Sequence, residues 1–160
     1  MKVIIIGTSL SGKTTLVRYL RANTSLSLLE IDEELTRVNN GKYPTDNIRK
    51  HKILIPQIVK NILDQTDVIF FTNTDYFTVE DLKQARKNGF KILQLSLDLE
   101  QLQKRNTLRV QKEGYSDLNQ WLRGMVDYQT TVREKGLVDK VINANQATEY
   151  IAKELIDYLL

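Results

Sequence analysis

Apolar residues along this chain alternate between two rhythms, short unbroken runs and stretches spaced three or four apart. Val3-Ile4-Ile5-Ile6 is an unbroken run and predicts a buried strand. Lys13 to Arg21, with Leu16, Val17 and Leu20 on one stripe, predicts a helix. Ser27 to Ile31 reads as a second strand, and Glu33 to Val38 as a short helix stopped by Asn39-Asn40-Gly41. After Pro44 and Asp46, residues Ile48, Ile53, Ile55, Ile58, Val59, Ile62 and Leu63 trace a long helical pattern, which Pro56 should kink or break. Val68 to Phe71 is a wholly apolar strand. Thr78 suits the cap of a helix to Lys87, with Glu80 and Asp81 in its first turn and Asn88-Gly89 at its end. Phe90 to Leu95 predicts a fourth strand, Asp98 a cap for a helix to about Lys104, and Tyr115-Ser116-Asp117 the start of a helix to about Glu134. Val138 to Ile142 and Ala147 to Leu159 close the series as strand and helix. Trp121, Met125 and Tyr128 fall at roughly helical spacing and are expected in the core. Five strands separated by helices imply an α/β fold, a parallel sheet covered on both faces.

The bulk numbers narrow the class. A chain of 160 residues makes one domain, here 1–160, large enough for a real core. Its net charge of +3 suits an anionic ligand without marking a dedicated DNA-binding protein. The absence of cysteine excludes disulfides, thiol catalysis and Cys-ligated zinc, and the single histidine, His51, has no partner for a histidine metal site. Four apolar residues between Lys2 and Gly7 are too few for a signal-peptide core, and no stretch approaches a membrane span. The expected compartment is the cytoplasm, with no membrane partner.

The first strand runs directly into Gly7-Thr8-Ser9-Leu10-Ser11-Gly12-Lys13-Thr14, the pattern G-x-x-x-x-G-K-[ST] set between a strand and a helix. Gly7 and Gly12 let the backbone curl so that successive N–H groups converge on one point, and the helix that follows adds its positive end. Lys13 is placed to reach the β- and γ-phosphates of a nucleoside triphosphate, and the Thr14 hydroxyl to bind Mg²⁺. No D-x-x-G, no N-K-x-D and no apolar strand ending in Asp-Glu occurs, so the second motifs of GTPases and ATPase motors are missing.

Asp32 stands at the expected end of the second strand, the sheet edge where ligands of open α/β folds bind. A carboxylate there can hold Mg²⁺ through water or accept a proton from an acceptor hydroxyl. The alternative is a cap for the helix from Glu33. Arg105 and Arg109, four apart, open the segment after the fourth strand, expected as a mobile lid over about 105–117. Two guanidiniums there could neutralise a transferring phosphoryl group and close the site against water. The alternative is a solvated basic face. Arg37, Lys42, Arg49, Lys50 and Lys52 gather in a segment, about 33–63, that suits a phosphorylated acceptor, or simply a solvated surface. Tyr43 and Tyr76 follow polar turns where they could stack on an acceptor base.

Taken in order, the phosphate loop, the acidic residue after strand two, the arginine-bearing segment after strand four and the ending Asp139-Lys140-Val141-Ile142-Asn143-Ala144-Asn145 resemble the adenylate-kinase-like P-loop kinases. That resemblance implies a three-layer fold with sheet order 2-3-1-4-5 and a short lid without zinc cysteines. It implies that Gly7 to Thr15 hold the phosphates of ATP, that Arg105 lies along the adenine or phosphate side, and that Arg109 faces the transferring phosphate. Asn145, in the turn Asn143 to Ala147, would border the adenine. Arg37 would meet an acceptor phosphate, and Asp75, in Thr72-Asn73-Thr74-Asp75-Tyr76-Phe77, would supply the acidic group usually found in an Asp-Gly-Tyr/Phe-Pro stretch. The implied activity is ATP- and Mg²⁺-dependent phosphoryl transfer to a small acceptor, a nucleoside, nucleotide or related metabolite. A nucleotide-binding regulatory protein and a polynucleotide 5′-hydroxyl kinase are the alternatives.

Overall fold

The computed structural model describes residues 1–160. Five parallel strands, β1 (Lys2–Gly7), β2 (Leu28–Glu30), β3 (Val68–Asn73), β4 (Lys91–Ser96) and β5 (Lys140–Asn143), form one sheet in the order β2-β3-β1-β4-β5. β1 is the central strand, with Ile5 opposite Phe71 of β3 and Leu93 of β4. Its side chains alternate between two cores, as the twofold period of a strand requires. Val3 and Ile5 pack with helices α1 (Lys13–Asn23) and α8 (Thr148–Leu159). Ile4 and Ile6 pack with α2 (Ile31–Val38), α4 (Ile55–Leu63) and α5 (Val79–Lys87). The remaining helices are the short α3 (Asn47–Arg49), α6 (Leu99–Glu113) and α7 (Asn119–Glu134).

Thr78 with Asp81 and Asp98 with Gln101 form reciprocal capping boxes that start α5 and α6 where the sequence places them. Three expectations are corrected. The helix from Asp98 does not stop near Lys104; it runs to Glu113, so Arg105 and Arg109 lie on a helix and only 114–118 is loop. The polar residues that read as loop serve another purpose. Asn106 is buried, its Nδ2 donating to Asp117 Oδ1 at 2.7 Å and its Oδ1 accepting from the Leu118 amide at 3.0 Å, so it ties α6 to the start of α7. Trp121 is not in the core but 53% exposed, because Leu122 takes the inward position of that turn; Met125 and Tyr128 are half-buried against the cores. Pro56 does not break the long helical stretch. It sits in the first turn of α4, preceded by a π-helical turn, Lys50–Leu54, in which the Ile55 amide reaches back to Lys50 O. Proline lacks the N–H that would continue the regular ladder, and the widened turn absorbs the mismatch.

Candidate active site

The loop after β1 is wound tightly by two left-handed residues, Leu10 at φ 70° and Gly12 at φ 89°. A Cβ on Gly7 would lie 2.5 Å from Ser11 Oγ and 3.3 Å from Ser11 Cβ, so the Ser11 side chain would have to shift to admit one. Lys13, 8% exposed, folds over the loop, its Nζ donating to Thr8 O at 2.6 Å and to Gly7 O and Ser11 Oγ at 3.3 Å each. Burial pushes its pKa down to about 8, against the opposing pull of Asp32, Asp75 and Glu30. Those three carboxylates therefore share one electrostatic neighbourhood with the lysine. Thr8 Oγ1 is buried in the same loop without a hydrogen-bond partner, an orphaned donor where an anion's oxygen would be held. The tip residue Ser9 and the first helical residues Thr14 and Thr15 remain at least partly open to solvent.

The carboxylates come from two places, the junction of β2 with α2 and the turn after β3. β2 ends at Glu30 and α2 begins at once, so Asp32 falls in the first turn of α2, exposed, rather than at the strand's end. The buried residue at that edge is Glu30, which sequence reasoning missed: its Oε1 accepts from Thr14 Oγ1 at 2.5 Å. A hydroxyl and a carboxylate, both hard oxygen donors, fit Mg²⁺. No group of three or more acidic, His or Cys side chains closes around them. Asp75 is exposed in a 3₁₀ turn, Thr74–Tyr76, directly after β3.

Arg105 closes the other side of the loop. Its guanidinium donates to Leu10 O at 2.8 Å and to Ala144 O at 3.1 Å, and its partial burial lowers its pKa. It borders a cleft of about 220 Å³ lined by Ser11, Gly12, Thr15, Leu16 and Gln146. In the turn after β5, Ala144 and Gln146 face this cleft. Asn145 is exposed, with its amide bonded to Asn143 Oδ1 at 2.8 Å. Arg109, one turn further along α6, stacks on the Tyr115 ring at 4.1 Å and lies 3.9 Å from Glu113.

The π-helical turn carries Lys50 inward, 9% exposed. Its Nζ stands 5.2 Å from the Tyr43 ring centre and 5.3 Å from that of Tyr76, and no carboxylate pairs with it. Burial alone would lower its pKa; the two phenol groups outweigh that, and the net direction is upward. His51 meets Tyr76 edge-on at 5.6 Å. Tyr43 and the Asp75 turn thus come together around Lys50, whereas Arg37 pairs with Glu34 at 2.7 Å in a separate groove between α2 and α4. A groove of about 790 Å³ runs between α4 and α5 and meets this cluster through His51, Asp75 and Tyr76.

No family model matches the chain, and no curated protein matches it significantly. Solved structures do. The shikimate kinase of Aquifex aeolicus vf5 superposes with a TM-score of 0.73 at 18% identity, over 99% of this chain and 96% of that one. A gluconokinase from Sinorhizobium meliloti 1021 gives 0.65 at 14% identity, over 99% and 90%. The YorR protein of Bacillus subtilis, in complex with phosphorylated GDP, gives 0.66 at 17% identity, over 99% and 95%. The shikimate kinase and the gluconokinase are members of the adenylate-kinase-like P-loop kinase superfamily, and the chain has that fold, with the 2-3-1-4-5 order the resemblance implies. No helix is long and apolar enough to cross a membrane.

Proposed function

We propose that this chain is an ATP-dependent kinase that moves the γ-phosphoryl group to a hydroxyl of a small acceptor carrying a carboxylate or phosphate. The observation that carries the reading is the convergence on one loop: an ammonium seated in a phosphate cradle, with Asp32 and Asp75 close enough to act on its charge. The loop amides and Lys13 bind the donor phosphates and stabilise charge that grows in transfer. Thr14, with Glu30 behind it and Asp32 nearby, holds Mg²⁺, which when bound screens the phosphate oxygens. Arg105 borders the adenine cleft. Asp32 takes the proton of the attacking hydroxyl. Arg109 leaves Tyr115 and Glu113 to meet the transferring group, a movement of one half-buried side chain.

Lys50 supports an anionic acceptor. A half-buried ammonium held beside two aromatic faces without a counter-charge is matched best by an anion that arrives with the ligand. Two of the structural relatives are named for hydroxy acids, shikimate and gluconate, and a third holds a nucleotide. The test is a transfer assay with γ-labelled ATP·Mg²⁺ against shikimate, gluconate, nucleosides, nucleoside monophosphates and a 5′-hydroxyl oligonucleotide. A labelled product from a carboxylate or phosphate acceptor is expected. Release of inorganic phosphate alone across the whole panel overturns the kinase reading and leaves the regulatory one.

A further inference from the structure

Helix α7 reaches both layers of the molecule, placing Leu122 in one core and Val132 in the other. Between these anchors, the successive residues Tyr128 and Gln129 take hold of the two ends of the turn that follows β3. Tyr128 Oη donates to Phe77 O at 2.5 Å, and Gln129 Oε1 accepts from Thr74 Oγ1. The same oxygen accepts from Gln94 Nε2 at 2.8 Å, while Gln129 Nε2 donates to Leu95 O at 3.0 Å. Gln94 Oε1 in turn accepts from the Arg133 guanidinium at 2.8 Å. Thr74, Gln94 and Gln129 are all buried.

Buried amides are costly unless they are partnered, and apolar side chains of similar size would fill this space at less cost. What the network provides is direction. The Gln129 oxygen already accepts two hydrogen bonds and has nothing left for a ligand; its link to the turn is Thr74, the residue before Asp75. At its other end α7 begins where Asn106, the neighbour of Arg105, holds Asp117 and Leu118. One helix therefore spans from the arginine-bearing α6 to the turn that carries Asp75 and Tyr76.

We infer that Gln129 is a positioning residue: its bond to Thr74 sets the Asp75–Tyr76 turn of the acceptor wall, referring it through α7 to the donor side. This rests on the proposed role of that turn in acceptor binding. The experiment compares wild type with Gln129→Met, which keeps the volume and removes the bonds, and Thr74→Val, which removes only the hook on the turn. Hydrogen exchange is followed at residues 74–78, where the Phe77 amide is bonded to Thr74 O at 3.2 Å. The dissociation constant of adenylyl imidodiphosphate·Mg²⁺ is measured alongside the acceptor KM. Thr74→Val is expected to exchange about tenfold faster at 74–78, the loss of one hydrogen bond's worth of protection, and Gln129→Met, which loses the bonds to Gln94 and Leu95 as well, at least as much, with β1 and β3 unchanged. Acceptor KM is expected to rise by a similar factor while the nucleotide analogue binds as before. Unchanged exchange at 74–78, an increase shared by β1 and β3, or an unaltered acceptor KM overturns the inference. If Gln129→Met does not fold, Thr74→Val decides. If the wild type phosphorylates no acceptor, the proposed function falls, and the exchange result alone decides whether Gln129 sets the turn.

Discussion

The two lysines of the site occupy opposite circumstances. Lys13 finds three oxygen partners within its own loop, two carbonyls and a hydroxyl, and three carboxylates lie within its field. Lys50 is little exposed as a residue but less deeply set, and it has two tyrosine rings and no carboxylate. On the proposed function the donor wall is complete in itself: without phosphate, the lysine rests on oxygens of its own loop. On the same proposal the acceptor wall is left with a cation that no carboxylate of the chain pairs with. This difference predicts that the donor site tolerates emptiness while the acceptor site selects strongly for charge, and each side is open to attack separately.

The heaviest blow should come from Lys13→Ala. Without the ammonium, kcat/KM is expected to fall by about 10²–10³-fold, with ATP affinity, read by titration calorimetry, falling alongside it. Undiminished ATP binding would remove the nucleotide reading at its root. Next in size is Lys50→Met, which should raise the acceptor KM about ten- to a hundredfold, the range for losing a charge-assisted bond, and leave the ATP constant where it was. If both constants moved together, the two walls would not be separate sites.

The mildest effect is one of pH. Burial lowers the free Lys13 pKa to about 8, and only the protonated form binds phosphate. Bound phosphate raises that pKa, so affinity is fully present well below pH 8 and is lost as pH climbs through it. ATP should bind about tenfold more weakly at pH 9 than at pH 7. Lys13→Arg should flatten that profile, since a guanidinium does not titrate in this range. A profile that stays flat in the wild type would show that the ammonium is not what the donor phosphates meet.

Much of this architecture is written in local pattern. The unbroken apolar runs of β1 and β3 and the capping signals at Thr78 and Asp98 depend on nearest neighbours and are visible in the chain. The phosphate loop is legible for the same reason, because its glycines answer to backbone geometry. What stayed hidden depends on partners far away. Glu30 reads as an ordinary strand residue until Thr14, sixteen positions earlier, is seen bonded to it. Lys50 reads as one more surface cation, because nothing local announces a π-helical turn that rotates it inward. Asn106 and Thr107 favour loops by propensity, and tertiary bonds from Asn106 to Asp117 and Leu118 override that preference. One cue was available: Glu30 and Asp32 bracket a strand-to-helix junction with no loop between them, so two acidic groups must crowd the same edge.

The misplaced expectation at Trp121 has a practical use. As the sole indole of the chain, standing half in water where α7 leaves the 114–118 loop, it gives the protein an optical probe of its own. Its accessibility to a neutral quencher such as acrylamide would follow any closing of that region over nucleotide, without a label and without a single changed residue.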